Sequence, residues 1–223
     1  MKGHDLKEFI EKLGISDVGF SEVGEVVPPN WSKYHYAITL VLQLSNGIID
    51  DITDEPTDTY FSHYRSVNNH LNEVMLKTTI ALQNCGFAGI PIPASQSLHN
   101  KPYYGVFPHK TAATIAGLGW IGKSALFIHH KYGPRVRLGT VLTNMELPVE
   151  RPPVTESSCG NCKICMNSCP AMAIEGQNWT QGMERKELYD AHGCSTYVKE
   201  HYQHIGRGSV CGICIKTCPI GGR

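Results

Sequence analysis

The chain has 223 residues, with 20 basic side chains matched by 20 acidic ones. That length holds one good core and a small appendage at about 150 residues per domain, and zero net charge gives no global field to draw in nucleic acid or an anionic membrane. No apolar run approaches the ~18 residues of a membrane span, and the opening MKGHDLKEFIEKLG lacks an apolar signal core, so a cytoplasmic chain is expected.

Asp5-x-x-Glu8 has the form of a capping box. It would open a helix with Leu6, Phe9, Ile10 and Leu13 on one face and Gly14 as its stop. Residues 15–20 and 36–44 read as strands, and the nearly continuous apolar run of the second predicts a central position. A helix is predicted over 59–85, with Tyr60, Tyr64, Val67, Leu71, Val74, Leu82 and Cys85 at helical spacing before Gly86. Cys85 on that stripe is expected to be a buried structural thiol. Residues 87–92 are extended, 111–116 helical, and 124–129 and 136–142 strand-like. His129 and His130 end one of these strands and should point to opposite faces, which removes them as a paired metal site. Pro148, Pro152 and Pro153 mark a linker. The fold class is α+β, with a first domain over 1–150 and a cysteine-rich module over 155–223.

Residues 117–124 read Gly-Leu-Gly-Trp-Ile-Gly-Lys-Ser. As text they satisfy both G-x-G-x-x-G and G-x-x-x-x-G-K-[ST], but each of those phosphate-binding motifs needs a strand before the loop and a helix after it. Here the order is reversed, a helix-like segment preceding and a strand-like one following. What the glycines retain is the capacity for close backbone approach, with Trp120 and Lys123 beside it; a tight helix-to-strand turn is the plain alternative.

Eight of the nine cysteines lie between Cys159 and Cys218. The first run is Cys159-x2-Cys162-x2-Cys165-x3-Cys169-Pro170, the bacterial ferredoxin spacing, in which the fourth cysteine serves the other cluster. The second, Cys211-x2-Cys214-x3-Cys218-Pro219, has Gly208 where a leading cysteine would stand, and Cys194 is the replacement. The expected ligand sets are Cys159, Cys162, Cys165 and Cys218 for one iron–sulfur cluster, and Cys169, Cys194, Cys211 and Cys214 for the other. Structural zinc is an alternative for C-x2-C pairs, and a disulfide framework is another that needs a secreted context.

The run Ala116-Gly-Leu-Gly-Trp-Ile-Gly-Lys123, the Gly133, Leu138-Gly139 and Leu142-Thr143 positions, the double-cluster cysteines and the stretch Tyr189-Asp-Ala-His-Gly-Cys194-Ser-Thr-Tyr197 together resemble the epoxyqueuosine reductase family. The likeness runs from Ile15 to Pro219. It implies a nitroreductase-like cobalamin-binding core, related to that of reductive dehalogenases, and a ferredoxin-like module with two 4Fe–4S clusters. It also implies that Gly117, Gly119, Trp120, Ile121, Gly122 and Lys123 lie against a corrin ring. The chain departs from the family in three ways. His109 and Lys110 stand where members carry an acidic residue and an arginine, the helical-repeat tail that helps hold transfer RNA is not in this sequence, and the charge is neutral.

Two functions of different class follow from these residues. One is a cobalamin-dependent reductase of a small molecule, with His109 donating a proton and Tyr104 as a second acid, fed by a flavodoxin- or ferredoxin-type donor. The other is an electron-transfer or reductive-activator protein without turnover of its own. An ATPase coupled to iron–sulfur chemistry rests on the phosphate-loop text alone. Nucleic acid and membrane are not expected partners.

Overall fold

The computed structural model describes residues 3–100 and 103–221. In chain order the elements are α1 (Gly3–Lys12), β1 (Asp17–Glu22), a 3-10 turn (Pro29–Trp31), β2 (Tyr36–Gln43), α2 (Asn46–Asp50), α3 (Asp58–Asn84), β3 (Gly89–Ile92) and α4 (His109–Ile115). There follow β4 (Gly119–Ile121), β5 (Phe127–His129), β6 (Val136–Thr143), α5 (Ile164–Asn167), a second 3-10 turn (Arg185–Glu187), α6 (Ala191–Tyr202) and α7 (Ile213–Lys216). They form two compact units made of interleaved segments: residues 1–43, 67–118 and 137–154 in the first, 44–66, 119–136 and 155–223 in the second.

The first unit holds a four-stranded sheet in the order β1-β2-β6-β3. Strand β1 runs antiparallel to β2 with Asp17 opposite Val41 and Glu22 opposite Tyr36. Strand β3 runs antiparallel to β6 with Gly89 opposite Thr143 and Ile92 opposite Thr140. Strand β2 is interior, as its apolar run requires, and is buried without a break from Ala37 to Val41. Helix α3 buries Leu71, Val74, Met75 and Leu82, positions at the 3–4 spacing of one helical face. Thr78 and Thr79 are buried beside them and spend their hydroxyls on the carbonyls one turn back, Val74 and Met75. A further cluster joins Val23, Tyr34, Ala37, Ile92, Phe107, Ala112 and Leu142.

Two expectations about this unit change. Helix α1 starts at Gly3, so Asp5 lies inside the first turn, near the positive end of the helix dipole, rather than at its cap. Cys85 is exposed, because α3 ends at Asn84 and the chain turns at Gly86 with φ +84°. The apolar stripe stops one turn earlier, at Leu82.

The second unit contains the β4–β5 hairpin, with Gly119 opposite His129 and Ile121 opposite Phe127. Its glycine-rich stretch is thus itself a strand, and the expected strand over 124–129 is confined to Phe127–His129. His129 is buried and His130 exposed, as adjacent strand positions demand. The apolar filling comes from Ile52, Tyr60, Trp179, Leu188, Val198, Ile213 and Ile215. Gly212 adopts φ +83°, and a Cβ there would sit 2.7 Å from both Ile52 and Tyr60, so only glycine serves. No helix among the described residues is long and apolar enough to cross a membrane.

Candidate metal centre and the glycine-rich turn

The two cysteine runs fold alike. In each, a four-residue helix carries a cysteine at its second position, Cys165 in α5 and Cys214 in α7. The turn that follows is closed by the same bond four residues back, from Ser168 N–H to the Ile164 carbonyl and from Thr217 N–H to the Ile213 carbonyl. Helices α5 and α7 pack on each other, which sets Cys214 among the electrostatic neighbours of Cys165. Cys194 arrives differently, inside α6. The Asp190 carboxylate caps that helix, accepting from the N–H groups of His192 and Gly193 at 3.0 Å.

The seven thiols of the runs and that of Cys194 are all half-buried and free. Burial raises the pKa of Cys218, and the nearby thiols of Cys159, Cys165 and Cys162 raise it further. Burial and then Cys159 and Cys162 do the same to Cys165. In the other group burial pushes Cys211 up to about 11, with Cys194 and Cys169 adding to it. Burial and then Cys211, Cys194 and Cys169 raise Cys214 as well. For Cys194 burial leads, the Tyr189 hydrogen bond offsets part of it, and Cys169 adds to it. The thiols of Cys159 and Cys162 act on both Cys165 and Cys218, those that act on Cys211 and Cys214 include Cys194 and Cys169, and Cys165 also acts on Cys214. Thiols so crowded resist ionisation as a bare protein, and a cationic core that neutralises several thiolates relieves that cost. The donor set, all soft sulfur, fits iron–sulfur ligation.

The glycine-rich turn has a different surrounding from the one the resemblance implies. A Cβ on Gly117, which adopts φ +66°, would meet Arg151 and the Pro152 carbonyl at 2.6 Å. One on Gly119 would run into the Ile128 backbone, and one on Gly122 would lie 2.8 Å from the Ile128 side chain and 3.5 Å from Cys159 Sγ. The close approach that glycine permits is made by the chain itself, so these positions form no empty cradle. Helix α4 precedes the turn and a hairpin follows it, which removes the phosphate-loop reading. Ile121 is half-buried, and Lys123 is only 4% exposed. Trp120 is 6% exposed, with its ring 5.5 Å from that of His130 and its indole N–H without a hydrogen-bond partner. The turn thus carries one buried, unpartnered donor, and its glycines are packed against the chain itself.

His109 is the first residue of α4 and both its ring nitrogens are engaged. Nδ1 lies 2.8 Å from Thr140 Oγ1 and Nε2 lies 3.1 Å from the Pro93 carbonyl. A carbonyl only accepts, so Nε2 carries the proton and Nδ1 accepts from the threonine hydroxyl. Burial, with the Arg137 guanidinium adding to it, lowers the pKa of His109 to about 4 against the pull of the Pro93 carbonyl. A neutral imidazole held at both nitrogens is poorly suited to deliver a proton near pH 7, and the geometry casts His109 as a fixture of the sheet edge. Tyr104 is exposed, and its carbonyl accepts from Leu98 N–H at 3.0 Å.

Sequence reasoning missed the role of Asp50. Its carboxylate accepts from Arg135 Nη2 at 2.7 Å, and Arg135 is almost wholly buried. Lys216, between Cys214 and Cys218, donates to the Asp50 carbonyl oxygen. The Arg135 hydrogen bond leads in holding the Asp50 carboxyl below its usual range. Nothing in the local spacing links residues 50, 135 and 216, which is why the pairing was not legible.

Residues 158–221 match the family described as a 4Fe-4S double cluster binding domain. The chain is 28% identical over 158 residues to an epoxyqueuosine reductase of Vibrio cholerae, covering 68% of this chain and 37% of that protein. It is 34% identical over 116 residues to a tetrachloroethene reductive dehalogenase of Sulfurospirillum multivorans, covering 48% and 22%. The chain thus spans well under half the length of these curated relatives. Among solved structures, a reductive dehalogenase described in terms of B12-dependent dehalogenation superposes with a TM-score of 0.75 at 17% identity, over 96% of this chain and 31% of that one. Epoxyqueuosine reductase from Streptococcus thermophilus does so with 0.64 at 16% identity, over 98% and 65%. At such identities the structural likeness shows the fold, and it agrees with the mixed helix-and-sheet architecture expected. With a double cluster binding domain matched over residues 158–221 and eight free thiols within it, the chain is an iron–sulfur protein with epoxyqueuosine reductases and a reductive dehalogenase among its relatives.

Proposed function

We propose that the chain is an oxidoreductase that relays electrons through two 4Fe–4S clusters to a further redox group, which reduces a small molecule. Cys159, Cys162, Cys165 and Cys218 would hold one cluster, and Cys169, Cys194, Cys211 and Cys214 the other. The observation that carries this reading is the match of residues 158–221 to a double cluster binding domain, with eight half-buried free thiols inside it. The Cys165–Cys214 proximity supports a continuous path between the two cores. A flavodoxin- or ferredoxin-type protein would supply the electrons. Anaerobic reconstitution tests the ligation: about eight irons and eight sulfides per chain are expected for two such clusters, and stoichiometric zinc with no visible absorbance would sink the assignment.

Cobalamin is the further redox group that the relatives suggest, and when bound it would supply a cobalt centre that accepts the clusters' electrons. The buried, unpartnered Trp120 N–H is the feature of the turn that supports it. The substrate would be a small molecule rather than tRNA, since zero net charge does not favour a polyanion. A second reading, a carrier or reductive activator without turnover, is favoured by two observations: the filled glycine positions and the engaged His109. A cobalamin titration of the reconstituted protein separates them. Binding with a base-off spectrum supports the reductase; no binding at micromolar concentration supports the carrier.

A further inference from the structure

Two of the three segments that build the second unit, 44–66 and 119–136, carry no cysteine. Both nevertheless reach the stretch that carries Cys218, one on each side of it. Segment 119–136 meets the chain after the cysteine. His129 and Gly133 close a tight turn, the N–H of each donating to the carbonyl of the other at 2.9 Å. The His129 ring stiffens that turn, its Nδ1 accepting from the N–H groups of Lys131 at 3.1 Å and Tyr132 at 3.3 Å. The backbone of Ile220 and Gly221 lies directly against it. A Cβ on Gly133, which adopts φ +57°, would sit 1.9 Å from the Ile220 carbonyl oxygen, and one on Gly221 would sit 2.1 Å from the Tyr132 carbonyl carbon. Two main chains touch there with no side chain between them, a contact that needs glycine on both.

Segment 44–66 meets the chain before the cysteine. The Lys216 ammonium donates to the Asp50 carbonyl oxygen and lies 3.6 Å from the Asp50 carboxylate. Asp50 is held in turn by Arg135, which is 3% exposed. That guanidinium donates to the Asp50 carboxylate at 2.7 Å and to the Asn46 side-chain oxygen at 3.3 Å, and the Arg135 carbonyl accepts from Leu44 N–H at 2.8 Å. One buried residue thus grips α2 at both ends and fixes the group to which Lys216 is tied. Arg135 and Gly133 belong to one loop, so the contacts on either side of Cys218 share a single support.

Resting on the proposed ligation, we infer that Gly133, Arg135 and Asp50 are positioning residues that hold Cys218 in place as the fourth ligand of the first cluster, by clasping the chain two residues to either side of its thiol. The other three ligands, Cys159, Cys162 and Cys165, come from one short run whose spacing keeps them together. Cys218 has no such neighbours. It follows α7, with no helix or strand after it among the described residues, and a segment of that kind is ordered only where something ties it down. Contacts that orient a ligand from outside are as much a part of a metal centre as the ligand itself.

The test compares the reconstituted wild type with Gly133→Ala and Asp50→Asn by iron analysis and electron paramagnetic resonance. Gly133→Ala drives a methyl group into the Ile220 carbonyl and should withdraw Cys218. The iron content should then fall from about eight to about seven per chain as the first cluster becomes a three-iron one, with the signal of the second unchanged. Cys218→Ala should give the same pattern and so identifies the affected cluster. Asp50 is half-exposed, so Asp50→Asn keeps the fold and decides the matter if Gly133→Ala fails to load iron. It should lose first-cluster iron to a chelator roughly tenfold faster than wild type, with second-cluster iron leaving at the wild-type rate and Asp50→Glu restoring the first. Wild-type rates in Asp50→Asn, or equal acceleration at both clusters, would overturn the clasp and leave the ligation standing. A Cys218→Ala chain that still holds two intact four-iron clusters would overturn the ligation at Cys218 and the clasp with it.

Discussion

The two compact units solve the problem of holding a fold together in opposite ways. The first fills a four-stranded sheet and its helices with side chains such as Leu71, Ile38 and Leu40, all wholly buried. Its buried polar groups are largely closed on neighbours, as with Thr78, Thr79 and the His109 ring. The second has short helices of four residues, three-residue strands and eight half-buried thiols, among which burial raises the cost of ionising Cys165, Cys194, Cys211, Cys214 and Cys218. Apolar burial at roughly 25 cal/mol per Å2 stabilises the first without help. The second is arranged so that ligation supplies what its small core does not, as in other metal-dependent modules. A cofactor module can thus be economical in hydrophobic area where its ligand spacing is correct.

That contrast can be broken experimentally. Stripping iron with a chelator should release the amides of residues 158–221 to rapid hydrogen exchange while those of β1 and β2 stay protected; equal loss in both would abolish the distinction. Cys214→Ser should lower the iron content from about eight to about four per chain, read by metal analysis. Leu71→Ala should destabilise the first unit by about 2–5 kcal/mol, since the residue is fully buried, with iron content unchanged. His109 sharpens the comparison through pH. Its folded pKa of about 4 lies below the ordinary 6.5, so its contribution is complete above pH 6.5 and is lost as pH falls towards 4. Denaturation curves at pH 7 and pH 4.5 should differ less for His109→Gln than for wild type, by up to about 3 kcal/mol. The smallest effect is expected at the partly exposed pair of Arg151 and Asp17, 3.2 Å apart. Asp17→Asn should cost under about 1 kcal/mol, measured by thermal unfolding.

Periodicity made much of the first unit legible. The apolar run of 36–44 gave the interior strand β2, and the stripe from Tyr60 to Leu82 gave α3 to within a residue at each end. Cys85 was misjudged because a helical stripe, extrapolated one more turn, reaches a residue beyond the last helical position. The double-cluster module was legible for a chemical reason: ligand spacing is local, and the two cysteine runs lie within the matched residues 158–221. The glycine-rich turn was readable as a place of close approach, but not as to what approaches, since Ile128 and Arg151 reach it through tertiary packing. His109 shows the same limit, because Thr140 and Pro93 lie far from it in sequence.

The interleaving of the two units also bears on the order in which the protein matures on the ribosome. The first unit's last segment, 137–154, is synthesised before any of the eight thiols, so that unit can settle during translation. Segments 44–66 and 119–136 must wait for their partners. On the proposed ligation each cluster takes at least one thiolate from the run Cys211–Cys218, so neither can close before residue 211 has been made, and the first needs residue 218. Cluster loading is then a late event on a scaffold already half built, and the assembly machinery would meet a protein whose electron-accepting half is still open.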